Sequence, residues 1–107
     1  MQVAQARTAY AAALHQWPTH RVLMLGLGNT AYAMGDLGAA ASAYQQAVQA
    51  HPDYADAWNN LAQVLLELGK PMDASAAITK AVALGGPRLG AYQAMQRTIA
   101  QKILEAK

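Results

Sequence analysis

The sequence predicts an all-α protein, a repeat superhelix of about six antiparallel helices. Three observations carry that prediction: an alanine-rich composition, chain breakers at regular intervals, and self-similarity at a shift of 34 residues. The chain has 107 residues, of which 54% are hydrophobic and 13% charged, so it is long and apolar enough to bury a core. It holds 26 alanines, no phenylalanine and few β-branched residues, which favours helix over strand and excludes both a disordered tail and a β-sandwich.

The shift of 34 residues places Leu27 on Leu61, Gly35 on Gly69, Ala40 on Ala74, Ala43 on Ala77, Ala47 on Ala81 and Val48 on Val82. Gly28 then falls on Ala62, Met24 on Trp58 and Tyr44 on Ile78. Shifted backwards, Ala6, Ala9, Tyr10, Ala13 and Pro18 lie under Ala40, Ala43, Tyr44, Ala47 and Pro52.

The breakers keep the same rhythm, with Pro18, Gly35, Gly38, Pro52, Gly69, Pro71, Gly85, Gly86 and Pro87 bounding helix-length pieces. The first helix is expected over 2–16 and the second over 19–34, ended by Gly35. The third spans 37–50 behind Asp36, and the fourth spans 54–68 with Trp58, Leu61, Leu65 and Leu68 on one stripe. The fifth, 71–84, starts at Pro71 and repeats Ala74, Ala77, Ile78 and Ala81 on one face; the sixth covers 88–105 with Leu89, Tyr92, Met95, Ile99 and Ile103.

Small residues at Gly28, Ala62, Ala40 and Ala74 mark the places where paired helices approach closely, because a large side chain there forces the axes apart. Tyr44 and Ile78 are expected to fill the space between successive pairs.

The residues Met24-x-x-Leu27-Gly28-x-x-Ala31-Tyr32-x-x-Gly35-Asp36-x-x-x-Ala40-x-x-x-Tyr44-x-x-Ala47, followed by Pro52, resemble a tetratricopeptide repeat. So do Trp58-x-x-Leu61-Ala62-x-x-Leu65-x-x-x-Gly69-x-x-x-x-Ala74-x-x-x-Ile78-x-x-Ala81. The resemblance implies one domain over 1–107: the second helix of a partial repeat in 1–20, full repeats in 21–54 and 55–88, and a capping helix in 89–107. The pattern departs from the family where Gly86 stands for the expected proline and where Gln96 replaces a small residue. The wording of the repeats looks bacterial. The chain is also similar to the helical tails attached to double-glycine-peptidase-like envelope lipoproteins, which makes a cytoplasmic or an envelope-associated location equally open.

The resemblance implies a concave face, lined by the first helix of each pair, that receives a peptide or a partner protein. Its residues would be Val22, Leu25, Asn29 and Tyr32, then Asp56, Asn59, Asn60, Gln63 and Leu66, then Gln93 and Arg97. Amide side chains both donate and accept, so they hold an extended backbone without demanding one sequence. Some family members clamp a terminal carboxylate; the matching residues here are Leu25, Asn29, Asn60, Gly90 and Ala94, so the asparagines are present and the cations are missing.

Two other roles stay open. The surface of Ala6, Tyr10, Ala13 and Leu14 lacks the cover of a preceding first helix, so self-association into a homodimer is one reading. An appendage positioning a neighbouring catalytic, for example peptidase-like, domain in a longer envelope protein is the other.

No catalysis, cofactor or metal is expected. With no cysteine, thiolate chemistry is excluded. His15, His20 and His51 read as exposed turn histidines, without an acid or third ligand spaced to join them. Ser42 and Ser75 lie inside helices, away from any histidine motif, and Gly26-Leu27-Gly28-Asn29 lacks the strand and the lysine of a phosphate loop.

The net charge of +2 is unevenly spread: Lys80, Arg88, Arg97, Lys102 and Lys107 stand against Glu105 late in the chain, and Arg7, Arg21 and Lys70 face Asp36, Asp53, Asp56, Glu67 and Asp73 before them. That is no dense basic stripe, so nucleic acid is not an expected partner. The longest apolar stretch, Val22 to Leu27, is far too short to span a bilayer, and direct membrane insertion is not expected.

Overall fold

The computed structural model describes residues 2–107. Among them lie six helices and no strand: α1 (Val3–Gln16), α2 (Arg21–Ala33), α3 (Leu37–Ala50), α4 (Ala55–Glu67), α5 (Pro71–Leu84) and α6 (Leu89–Glu105). Each begins and ends within about two residues of the range read from breakers and periodicity, the usual disagreement at helix ends. The helices gather into two compact units, one running to Pro52 and the other from Asp53 to Lys107.

The local signals explain the boundaries. Asp36 caps α3, its Oδ1 accepting from the Ala39 amide at 3.0 Å, and Pro71 stands in the first turn of α5, where a missing N–H costs nothing. After α2 and α4 the chain turns through Gly35 (φ 80°) and Gly69 (φ 77°), a left-handed conformation that a side chain resists, and these glycines are one repeat apart.

In the first unit α2 packs against both α1 and α3. Two glycines on α2 make this possible. A Cβ at Gly28 would lie within 2.5 Å of Cδ1 of Tyr44 and closer still to Cε1, while a Cβ at Gly26 would lie 2.5 Å from Cζ of Tyr10. Each interior glycine costs a helix about 1 kcal/mol against alanine, so each is kept for the aromatic ring that rests on it. This corrects the expectation for Tyr44: its ring fills the gap inside its own pair, where it is 2% exposed. Ala40 and Ala47, each 0% exposed, complete the face of α3.

The second unit repeats the arrangement without an aromatic ring at the seat. Helix α5 packs on α4 and α6, and α4 touches α6 more lightly. Ala62 and Ile78 hold the positions of Gly28 and Tyr44, and both are 0% exposed, as are Ala74 and Ala81. The smaller knob allows the larger seat. From α6, Tyr92 and Ile99 close the core.

The alanines therefore fix the distance between paired axes. Ala74→Leu is expected to cost about 1–3 kcal/mol by overpacking, whereas Ala50→Leu, at an exposed position, should stay within about 0.5 kcal/mol. Urea midpoints of the two variants measure the difference; equal tolerance would contradict the repeat register.

Candidate functional site

The side chains expected on a partner-binding face all come from first helices of pairs. In the first unit Val22, Leu25, Asn29 and Tyr32 follow one another on α2 at intervals of three and four residues, which puts them on a single stripe. Val22 is 57% exposed and Asn29 is exposed, while Leu25 and Tyr32 are half-buried. Asn29 Oδ1 accepts the hydroxyl of Tyr44 at 2.5 Å, so this amide braces the neighbouring helix as well as facing outward.

The second unit places Asp56, Asn59, Asn60, Gln63 and Leu66 on α4, all half-buried, and Gln93 and Arg97 on α6, both exposed. Here the structure separates side chains that the sequence grouped together. Asp56 is engaged from α6: its Oδ1 accepts the Tyr92 hydroxyl at 2.5 Å, and Oδ2 pairs with Arg88 Nη1 at 3.4 Å. Asn59 turns inward, with Nδ2 donating to Asn60 Oδ1 at 3.5 Å and its own Oδ1 buried without a hydrogen-bond partner. Leu66, with Glu67, Gly69, Pro71 and Lys102, lines an open pocket of about 360 Å³ whose walls are almost wholly apolar.

Tyr92 and Arg88 are the residues that sequence reading missed. Tyr92 stands one repeat after Trp58, at the position that begins a first helix, and Arg88 lies one turn before it. That spacing was the available signal. Burial, then the hydrogen bond to Asp56 and the charge of that carboxylate, push the Tyr92 hydroxyl up from 10.0 to about 12.

The sign of the pH effect follows. Between about pH 10 and 12 the unfolded chain releases this proton and the folded chain keeps it, so stability present below pH 10 is lost as the pH rises through that window. The loss is on the order of 2 kcal/mol. Urea unfolding at pH 9 and 11.5 should show a smaller alkaline loss in Tyr92→Phe than in the wild type.

The residues expected on a self-association face border two different pockets. Tyr10 is half-buried against Gly26, and Ala6, Ala9, Tyr10 and Ala13 with Leu23 border an open pocket of about 260 Å³. Leu14 turns instead to a smaller cleft with Pro18, Met24, Leu27, Ala43 and Gln46.

Of the three histidines, His15 and His20 are exposed, whereas His51 is half-buried and its Nε2 bonds the Thr19 carbonyl, fastening the turn between α1 and α2 to the end of α3. Among the described residues no three histidine or acidic side chains are grouped to hold a metal ion, and no helix is long and apolar enough to cross a membrane.

Antiparallel helices recurring at 34 residues, each pair closed on a small-residue seat, define an α-helical repeat protein. The tetratricopeptide repeat family model matches residues 25–94, and the chain belongs to that family.

Solved structures with the same fold include the first such domain of Spaghetti (RPAP3) bound to the HSP90 peptide SRMEEVD. It is 19% identical, with a TM-score of 0.88 over 95% of this chain and 80% of that one. The Sgt2 domain of Aspergillus fumigatus is 23% identical, with a TM-score of 0.89 over 97% and 70%. The Yersinia enterocolitica type III secretion chaperone SycD, in complex with a peptide of the translocator YopD, is 21% identical, with a TM-score of 0.85 over 94% and 81%. No curated protein matches the sequence.

Proposed function

We propose that the chain is a non-enzymatic protein-interaction scaffold that takes an extended peptide or a segment of a partner protein on the faces of its first helices. The observation that carries this reading is the stripe on α2, where Val22, 57% exposed, stands in line with Leu25, Asn29 and Tyr32. An exposed apolar side chain beside an amide and an aromatic ring offers an anchor together with a group that fixes backbone register. The open pocket beside Leu66 supplies a second anchor point in the other unit.

Family membership supports the reading, and two proteins of the same fold are bound to peptides. The chemistry of the bound segment differs from the acidic HSP90 peptide. Leu25, Gly90 and Ala94 stand where cations would hold a terminal carboxylate. An apolar segment with few acids fits better.

Selection of binders from a random peptide library tests this. The selected peptides are expected to be apolar and to lose at least about tenfold in affinity on Val22→Asp, about 1.4 kcal/mol, a change at an exposed site that leaves the fold intact. The peptide SRMEEVD is expected to show no saturable binding. Peptides that bind equally well to Val22→Asp and to a Gln63→Ala, Gln93→Ala variant would remove the reading.

A further inference from the structure

Among the described methionines Met24 is buried and Met95 half-buried, whereas Met34, 45% exposed, and Met72, 68% exposed, stand open to solvent. The two exposed ones differ in what surrounds the thioether. Met72 lies in the first turn of α5. Met34 closes α2, where its amide donates to the Thr30 and Ala31 carbonyls at 3.1 and 3.2 Å. Its sulfur faces a cation from another helix: Arg7 Nη1, on α1, donates to Met34 Sδ at 4.0 Å. The same nitrogen pairs with Asp36 Oδ2 at 3.5 Å, and Asp36 Oδ1 caps α3. Arg7 therefore ties α1 to the turn between α2 and α3 through one carboxylate and one thioether.

The thioether is the weak half of that grip, because divalent sulfur is a poor acceptor. A sulfoxide oxygen carries a large partial negative charge and accepts strongly. A guanidinium has five N–H donors, so a new oxygen on sulfur need not displace Asp36. At an exposed residue that oxygen is added without being buried, whereas at Met24, 7% exposed, the same change would put an unpaired dipole in the core.

We propose that Met34 is a site of oxidation by hydroperoxides, and that its sulfoxide strengthens the hold of Arg7 and fastens α1 to the end of α2. With hydrogen peroxide, the sulfur lone pair attacks one peroxide oxygen, and the S–O bond forms as the O–O bond breaks. The departing hydroxide takes the proton left on the transferred oxygen and leaves as water. Sulfur loses two electrons and the peroxide gains them. The return step consumes a dithiol, which becomes a disulfide as the sulfoxide oxygen leaves as water. The site is separate from the faces of the first helices and does not rest on the peptide-binding reading.

Limited oxidation of the full chain by hydrogen peroxide tests this, with oxygen uptake at each methionine followed by mass spectrometry and amide hydrogen exchange measured over residues 3–16. Met34 is expected to take up one oxygen well before Met24, and exchange in α1 to slow at least about threefold once it has. The slowing should be absent in Met34→Leu and in Arg7→Gln. Each variant is compared with its own untreated form, so the loss of the Asp36 pair in Arg7→Gln cancels. Exchange in α1 that is unchanged or faster after oxidation, slowing that survives either substitution, or a Met34 no more reactive than Met24 would overturn the proposal.

Discussion

Gly28→Leu is expected to be the most damaging single change in the first unit, costing about 3 kcal/mol or more. The reason is positional. A Cβ at this residue falls within 2.5 Å of the Tyr44 ring, and the added isobutyl group extends further into the same space. The ring has nowhere to retreat, since it is 2% exposed and its hydroxyl is held by Asn29. Against a domain stability of about 5–15 kcal/mol, the loss is a large fraction of the whole. Thermal and urea unfolding followed by circular dichroism measure it. Gly90→Ala is the matching control of opposite sign: nothing lies within 4 Å of a Cβ there, so the gain in helix propensity, about 0.5–1 kcal/mol, should appear as added stability. A neutral Gly28→Leu would mean that the tyrosine is not seated on the glycine.

Ile78→Ala should weaken the second unit by about 3–4 kcal/mol, from the lost transfer of a buried side chain and from the cavity left behind. Ile78 is 0% exposed and sits among Ala74, Ala77 and Ala81, whose methyl groups cannot extend to fill the space. Ile78→Val removes one methylene and should cost about 1 kcal/mol. The ratio of the two losses, read from urea midpoints at constant slope, tests whether the site is a tight seat; similar costs for both substitutions would show that neighbouring helices close up around it.

Much of the fold was legible before any coordinates. Periodicity alone located α2 to α5, because Gly35 and Gly69, and the alanines from Ala40 to Ala47 and Ala74 to Ala81, recur at one interval, and each has a local reason to be small or to turn. Gly28 was legible as a close approach for the same reason. The partner of Gly26 was not, because its counterpart in the repeat, Asn60, is not small; Tyr10 comes from α1, and no repeat pattern says which neighbour a half-covered ring will choose.

The candidate site was less legible than the fold. Residue type and helix position put Asn29, Asp56, Asn59 and Asn60 on one kind of face, yet their roles differ. The Asp56 carboxylate is engaged by Tyr92 and Arg88, Asn59 hides its amide oxygen, and Asn29 faces outward while bracing Tyr44. A polar side chain chooses among partners that lie 15 to 36 residues away in the chain, so its position on a helical wheel does not reveal the choice.

By itself, then, the sequence determined the helices, their pairing and their repeat family, since these depend on side-chain size and turn chemistry at short range. Only the tertiary structure decided that Asn59 turns its amide oxygen inward, that α6 is tied to α4 through Tyr92 and Asp56, and that Tyr10 rests on Gly26. Those outcomes depend on which distant groups come within hydrogen-bond or van der Waals reach, and that is set by packing.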